Sequence, residues 1–280
     1  MCIDVMKKSG ELVSQKKAFA VATVVRVRGS SSAQPGSKAI IDDEGKILSG
    51  WVGGGCAESA VRREALQCIK EDQPQLITLD MTDELLGVGM PCGGVMEVYI
   101  EPVLPNPELL ILGHGRIAET LATLGRLTGF AVIVDDPGAD SESFRDVDRL
   151  ITDDLDLTRV AIGRQTYVVI ATQHKGDHLW LQKALESEAA YIALISSRHR
   201  ASLVMDYVAL NGGPAEKLNR VWAPAGLDLG ARTPEEIALS VISQIVALRR
   251  GGSAQPMKGH ESASHSPEET APKVITQCDV

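Results

Sequence analysis

The sequence has no long apolar run, no concentrated basic patch and no paired cysteine motif. No stretch approaches the roughly 18 to 20 continuous apolar residues of a membrane-spanning helix, and the N-terminus lacks the apolar core of a signal peptide. The formal net charge is -9, and Lys and Arg are not clustered with aromatic residues, which disfavours a nucleic-acid partner. We therefore expect a cytoplasmic protein that binds neither nucleic acid nor membrane.

The five cysteines are scattered, without CxxC pairs or zinc-ribbon spacing. In a reducing cytoplasm they are thiols by default, so a special role must come from local surroundings. Cys68 falls on the apolar side of a predicted helix and is expected in the core. Cys278 lies in a polar C-terminal segment and is expected to be incidental, whereas Cys56 and Cys92 each occupy a glycine-rich loop.

The length of 280 residues and the hydrophobic content of 44% predict two folded domains of the α/β class. Residues 1–103, with short strands and glycine-rich loops, predict a small mixed α+β domain. Two prolines mark a linker at 104–108. Strands and helices alternate over 109–250, which predicts a Rossmann-like, doubly wound parallel sheet. Residues 251–280 are too polar to bury a core and are expected to form a disordered tail.

A glycine run precedes the predicted helix of the first domain. Gly54 and Gly55 lead into Cys56, and a helix N-terminus favours the reactive thiolate form of cysteine. Glu58 opposes this effect by its negative charge. The alternative interpretation is a small residue at a tight turn.

Two further loops of this domain favour ligand binding. Ser30 and Ser31 lie in a Ser-, Gly- and Pro-rich loop whose hydroxyls and backbone N–H groups suit an anion. Cys92 precedes Gly93 and Gly94, where the backbone can approach a ligand closely. If both loop cysteines face one cleft, they could bind a soft metal centre, relay sulfur or form a disulfide, and the sequence leaves this choice open.

The second domain begins with a glycine turn between a strand and a helix. Gly113, His114, Gly115 and Arg116 fit a GxGxxA pattern whose amides can hold a pyrophosphate. Asp135 ends the next predicted strand and is expected to accept a hydrogen bond from a ribose hydroxyl. The alternative is that these glycines only serve strand–helix packing.

Polar segments also follow the later strands of the predicted parallel sheet. Thr172 and His174 come directly after one strand, and the segment containing Arg198 follows the next. Ligands of doubly wound folds bind at this edge of the sheet. We expect a ligand site at the first segment, with His174 as a proton donor or ligand, and an anion subsite at the second.

Several strings in fixed order resemble the XdhC/CoxI family, the accessory factors of xanthine dehydrogenase, aldehyde oxidoreductase and carbon monoxide dehydrogenase. The resemblance covers residues 17 to about 250. It rests on the strings GSSSAQPGSKAII, SGWVGGGCAESAV, GMPCGGVMEVYIEP, YIALISSRHR and WAPAGLDLGARTPEEIALSVISQI, together with the Rossmann turn. The turn GHG and the segments TQHKGD and ISSRHR differ from common family forms, which implies a subfamily serving a carbon monoxide dehydrogenase-like enzyme.

The resemblance implies a chaperone of the molybdenum cofactor rather than an enzyme with its own turnover. Its cofactor would be molybdopterin, with the mononucleotide and dinucleotide forms both open. Its partners would be an apo-form molybdenum hydroxylase and a cysteine desulfurase that exchanges a molybdenum oxo ligand for sulfur, and we expect a homodimer. By carry-over, Cys56 and Cys92 would contact molybdenum or handle sulfur. The other expected cofactor-binding residues are Ser30, Ser31, Gly54, Gly55, Gly93, Gly94, Gly113, His114, Gly115, Arg116, Asp135, Thr172, His174 and Arg198.

Two rival functions remain open at this point. The glycine turn with Asp135 would also fit an NAD(P)-dependent oxidoreductase, although the sequence offers no convincing hydride-transfer partner. A pure assembly scaffold that docks the target enzyme without a cofactor of its own is the other.

Overall fold

The computed structural model describes residues 2–81, 94–154, 156–173, 176–213, 215–258 and 273–275. The chain forms two compact units that divide between Pro105 and Asn106, within the segment predicted as a linker. Along the chain the elements are α1 (Cys2–Ser14), β1 (Phe19–Gly29), β2 (Lys38–Asp42), β3 (Ile47–Gly50), α2 (Cys56–Glu71), β4 (Gln75–Asp80), β5 (Gly94–Val103), β6 (Glu108–Gly113), α3 (Arg116–Leu127), β7 (Ala131–Asp135), β8 (Arg149–Ile151), β9 (Thr166–Ala171), α4 (Asp177–Glu186), β10 (Tyr191–Leu194), α5 (Arg198–Leu210), a 3-10 helix (Ala215–Arg220), β11 (Val221–Trp222), α6 (Pro234–Arg250) and β12 (Lys273–Ile275).

The first unit is built on a mixed sheet. Over the described residues its strand order is β12-β4-β5-β1-β2-β3, and every neighbouring pair is antiparallel except β12 with β4. Helix α2 buries Val61, Ala65 and Cys68 against this sheet, as its apolar spacing predicts. Helix α1 packs Val5 and Leu12 in a second apolar cluster with residues of β1 and β2. The small mixed α+β domain is therefore confirmed.

Strand β12 departs from the expectation of a disordered tail. Three residues, Lys273–Ile275, pair with Ile77–Leu79 of β4 in parallel register. Ile275 packs against the core of the first unit, and the Lys273 ammonium lies 2.7 Å from the carboxylate of Glu64 on α2. The tail prediction is wrong for these residues because pairing with a distant strand can order a segment whose own composition cannot.

The second unit is a Rossmann-like parallel sheet, as predicted. Its order over the described residues is β11-β10-β9-β6-β7-β8, with all pairs parallel. Helices α3 and α6 pack on one face and α4 and α5 on the other. After β6 the chain adds strands on one side, and from β9 it adds them on the other. The carboxyl ends of β6 and β9 thus flank the topological switch point, where such sheets bind ligands.

Helix α6 begins where its sequence predicts. The Thr233 hydroxyl accepts the Glu236 backbone N–H at 3.2 Å, and the Glu236 carboxylate accepts the Thr233 N–H at 3.0 Å. Pro234 occupies the first turn, where its missing N–H costs nothing. The helix packs against α3 and so supports the glycine turn from which α3 starts.

Candidate functional site

In the first unit, the glycine run ends at a half-buried thiol. Cys56 is the first residue of α2, and the preceding Gly55 supplies no side-chain hydrogen bond to the helix start. The N-cap residue of α2 therefore provides no side-chain acceptor for the first backbone N–H groups of the helix. The thiol lies at the positive end of a helix, as the sequence predicts, and the structure adds that it is partly exposed.

The other predicted loops of the first unit begin at the same end of the sheet. Gly29 of β1 pairs with Gly94 of β5, and a Cβ on Gly94 would overlap the carbonyl oxygen of Ser30. A Cβ on Gly53 would lie 3.9 Å from the Met96 side chain, two residues further along β5. The structure thus brings the glycine run, the serine loop and the start of β5 together. Cys92 and Gly93 lie outside the described residues.

The serine loop and the glycine run each present exposed residues. Ser30 and Gly54 are exposed, whereas Ser31 is half-buried and its hydroxyl accepts the Ala33 N–H at 3.3 Å. The exposed hydroxyl and backbone are the groups that a ligand can reach.

Cys68 has no place in this site. Its side chain is fully buried in the core of the first unit, as expected. Burial, together with the charges of Glu64 and Glu71, raises the pKa of its thiol to about 11. Cys68 therefore stays protonated at neutral pH and is chemically inert.

The second unit has a pocket of about 280 Å³ at the switch point of its sheet. The described residues that line it come from the carboxyl ends of β6, β9 and β10 and from the start of α3; they are His114, Arg116, Ile117, Ala171, Gln173 and Ile195. The sequence predicted this location from the order of strands and turns, but it did not single out Gln173.

Gly113 is required by close packing of two strand ends. Its φ is 141°, and a Cβ there would overlap the carbonyl group of Ala171 on β9. Helix α3 then starts after Gly115 without a side-chain cap. Arg116, in its first turn, lies 2.6 Å from the Glu235 carboxylate of α6, and both side chains are exposed. The turn therefore offers backbone N–H groups and a shared guanidinium to the pocket.

His114 is held by an acidic partner. Its Nδ1–H donates to Asp136 Oδ1 at 2.7 Å, and the Gly138 backbone N–H donates to the same oxygen at 2.7 Å. A Cβ on Gly138 would lie 2.7 Å from His114 Cε1, so this edge of the ring is packed. The carboxylate fixes the proton of neutral His114 on Nδ1 and leaves Nε2 as the nitrogen available to the pocket.

The acid next to the glycine turn is Asp136, not the predicted Asp135. Asp135 is 0% exposed, and neither of its carboxylate oxygens has a hydrogen-bond partner among the described residues. Burial, followed by the charges of Asp154, Asp136 and Asp153, raises the pKa of Asp135 to about 7. Asp135 therefore has no exposed carboxylate with which to make the expected ribose contact. Adjacent residues at a strand end face opposite sides of the sheet, which is why Asp135 and Asp136 differ.

The loop after β9 is tied to the start of α5. The buried Thr172 hydroxyl donates to Asp177, whose other oxygen lies 2.9 Å from both Nε and Nη2 of Arg200. Arg200 is therefore the arginine of its segment that faces inward, whereas Arg198 is exposed at the first position of α5. His174 lies outside the described residues, so its predicted role stays a prediction.

Neither a metal cluster nor a bilayer-spanning helix occurs in the described part of the chain. Its ranges contain no group of three or more His, Cys, Asp or Glu side chains placed to hold a metal ion. Within the same ranges, no helix has both the length and the apolar character needed to cross a bilayer.

Fold and site together define a class: a two-domain α/β protein. Its Rossmann-type unit carries a pocket lined by both polar and apolar residues, and its other unit presents a thiol at a helix start that follows glycines. Two family models match it, the XdhC Rossmann domain over residues 109–245 and the XdhC and CoxI family over residues 12–80. The chain belongs to the XdhC and CoxI family.

Three curated relatives give this membership a context. The uncharacterised protein YqeB of Escherichia coli K12 is 30% identical over 254 residues, which are 88% of this chain and 46% of YqeB. A Bacillus subtilis protein described as a probable subunit of xanthine dehydrogenase is 31% identical over 159 residues, or 55% of this chain and 46% of the relative. The molybdenum cofactor insertion chaperone PaoD of Escherichia coli K12 is 20% identical over 296 residues, with 88% of each chain covered. This chain thus spans about half the length of the first two.

Proposed function

We propose that this protein binds the molybdenum cofactor as a cargo and delivers it to the apo-form of a xanthine dehydrogenase, aldehyde oxidase or carbon monoxide dehydrogenase-type hydroxylase. Family membership supports this role, as does the similarity over most of the chain to a relative named as a molybdenum cofactor insertion chaperone. Sulfuration by a cysteine desulfurase while the cofactor is bound, and a homodimeric state, belong to the same proposal.

The observation that carries the proposal is the sheet end at which Cys56 lies. The glycine run, the loop of Ser30 and the start of β5 meet there, and Cys92 precedes β5 by two residues. A thiolate is a soft ligand for molybdenum and an acceptor for sulfur. We assign the molybdenum end of the cargo to Cys56 and Cys92, with exposed backbone of the glycine run and the serine loop around it.

The pocket of the second unit is assigned to a phosphate-bearing group. Its described lining supplies the Arg116 guanidinium, the Gln173 amide and the start of α3. These donors suit an anion, and Arg116 shares its charge with Glu235.

The test compares cofactor handling by two cysteine variants. After incubation with cofactor, the amount of molybdenum and pterin retained by a Cys56→Ala, Cys92→Ala double variant should be about tenfold lower than that of the native chain, or lower still. Changes around metal ligands commonly cost roughly 10- to 100-fold in affinity. Activation of an apo-hydroxylase should fall in parallel. Metal analysis and mass spectrometry of released pterin measure the first quantity, and hydroxylase turnover measures the second.

The matched control is Cys68→Ala, because this thiol is buried on the same helix as Cys56 and stays protonated. The control should bind and transfer cofactor like the native chain. Full binding and transfer by the double variant would refute the cysteine assignment.

A further inference from the structure

We infer that the pocket of the second unit accepts a phosphomonoester and excludes the pyrophosphate of a dinucleotide, with the Gln173 side chain as the residue that sets this preference. The inference rests on the proposed function in one respect, namely that this pocket binds a phosphate-bearing group.

The first observation concerns the space above Gly115. In dinucleotide-binding Rossmann turns, the second glycine lets the pyrophosphate approach the backbone closely. Here the Gln173 amide fills that space, because a Cβ on Gly115 would lie 2.6 Å from Gln173 Nε2. The same amide donates to the carbonyl oxygen of His114 at 3.3 Å, so it bridges the turn after β6 and the loop after β9.

The backbone of Gln173 favours this placement. Its φ is 51°, a left-handed conformation that non-glycine side chains rarely adopt. Such a residue persists where its surroundings specify it. The amide is the far end of a flexible side chain, so removing it opens the turn without disturbing the strands.

The second observation is the set of donors that line this pocket of about 280 Å³. A single phosphate group needs only the donors that the lining provides, namely Arg116, the Gln173 amide and the N–H groups at the start of α3. Glu235 shares the charge of Arg116 and so limits the affinity.

The experiment uses two probes that share one half. AMP is a phosphomonoester, and NAD+ contains the same AMP extended through a pyrophosphate. Isothermal titration of the full chain should show AMP binding, with NAD+ at least about tenfold weaker. In Gln173→Ala, NAD+ affinity should rise about tenfold, while AMP affinity should change less than about threefold, because one of several donors is lost.

Gln255→Ala, which removes an exposed glutamine outside the described pocket lining, is the matched control and should change neither affinity. Equal binding of AMP and NAD+ by the native chain, no binding of AMP, or an unchanged NAD+ affinity in Gln173→Ala would each overturn the inference. These titrations contain no molybdenum cofactor. If the titrations fail while cofactor transfer still depends on the cysteines, only this inference is removed. If cofactor transfer fails while AMP and NAD+ bind as expected, only the proposed function is removed.

Discussion

The two units each start a helix from a glycine-rich turn, yet the glycines have different surroundings. In the turn before α2, no atom of the described residues lies within 4 Å of a Cβ placed on Gly54 or Gly55. In the turn before α3, a Cβ on Gly113 would overlap the β9 backbone, and one on Gly115 would meet Gln173. At both helix starts the N-cap residue is a glycine that supplies no side-chain cap.

The comparison shows that similar glycine patterns carry different information. The Gly113 position is explained by strand packing, so this glycine by itself is not a sign of a ligand. Packing among the described residues does not require a glycine at position 54, and the exposed backbone beside Cys56 is where we propose that the cofactor binds. The surroundings of a glycine, rather than its place in a pattern, separate the two cases.

Alanine substitutions at Gly113 and Gly54 test this contrast most strongly. Gly113→Ala should lower the free energy of unfolding by about 3 to 5 kcal/mol, because overpacking against backbone adds to left-handed strain. Gly54→Ala should stay within about 0.5 kcal/mol of the native chain. Urea unfolding followed by circular dichroism measures both. If Gly54→Ala lowered the free energy of unfolding more than Gly113→Ala did, the contrast between the two turns would be wrong.

The two arginines at the start of α5 differ in their contact with the loop after β9. Arg200→Ala removes the guanidinium partner of buried Asp177 and should cost about 2 to 3 kcal/mol, less than a fully buried pair because Arg200 is partly exposed. Arg198→Ala should cost less than about 0.5 kcal/mol, since this side chain is exposed. Equal losses of stability on urea unfolding would show that Arg200 does not support the loop.

Local patterns predicted most of the fold. The glycine turns, the strand–helix alternation and the Thr233 cap depend on residues close in sequence, and the structure contains them. Helix α5 was missed, because it buries only Ala201, Val204 and Val208 and exposes Leu203 and Leu210, so its apolar spacing is weak. Strand β12 was missed because its pairing with β4 joins segments that lie far apart in the sequence.

The site was predicted less completely than the fold. Spacing placed an acid at the end of β7, but it could not decide between Asp135 and Asp136, since that choice depends on which face of the sheet the side chain meets. Gln173 carried no signal as a residue type. Its importance follows from contact with Gly115, which lies in another loop.

The smallest effect separates two buried carboxylates, one in each unit. Glu64 has the Lys273 ammonium at 2.7 Å, whereas Asp135 has no hydrogen-bond partner among the described residues and a pKa raised to about 7. Unfolding returns Asp135 to its ordinary pKa of 3.8, so the unfolded chain binds fewer protons than the folded chain between pH 3.8 and about pH 7. The stability of the native chain therefore falls as pH rises through this window.

Asp135→Asn removes this pH-dependent loss of stability. The free energy of unfolding of the variant, relative to that of the native chain, should therefore increase by about 2 kcal/mol between about pH 5.5 and pH 8. Glu64→Gln should instead lose about 1 kcal/mol at both pH values, because the Lys273 pair is partly exposed. Urea unfolding at the two pH values distinguishes these outcomes, and a pH-independent Asp135→Asn would mean that this carboxylate is ionised and paired in the folded protein.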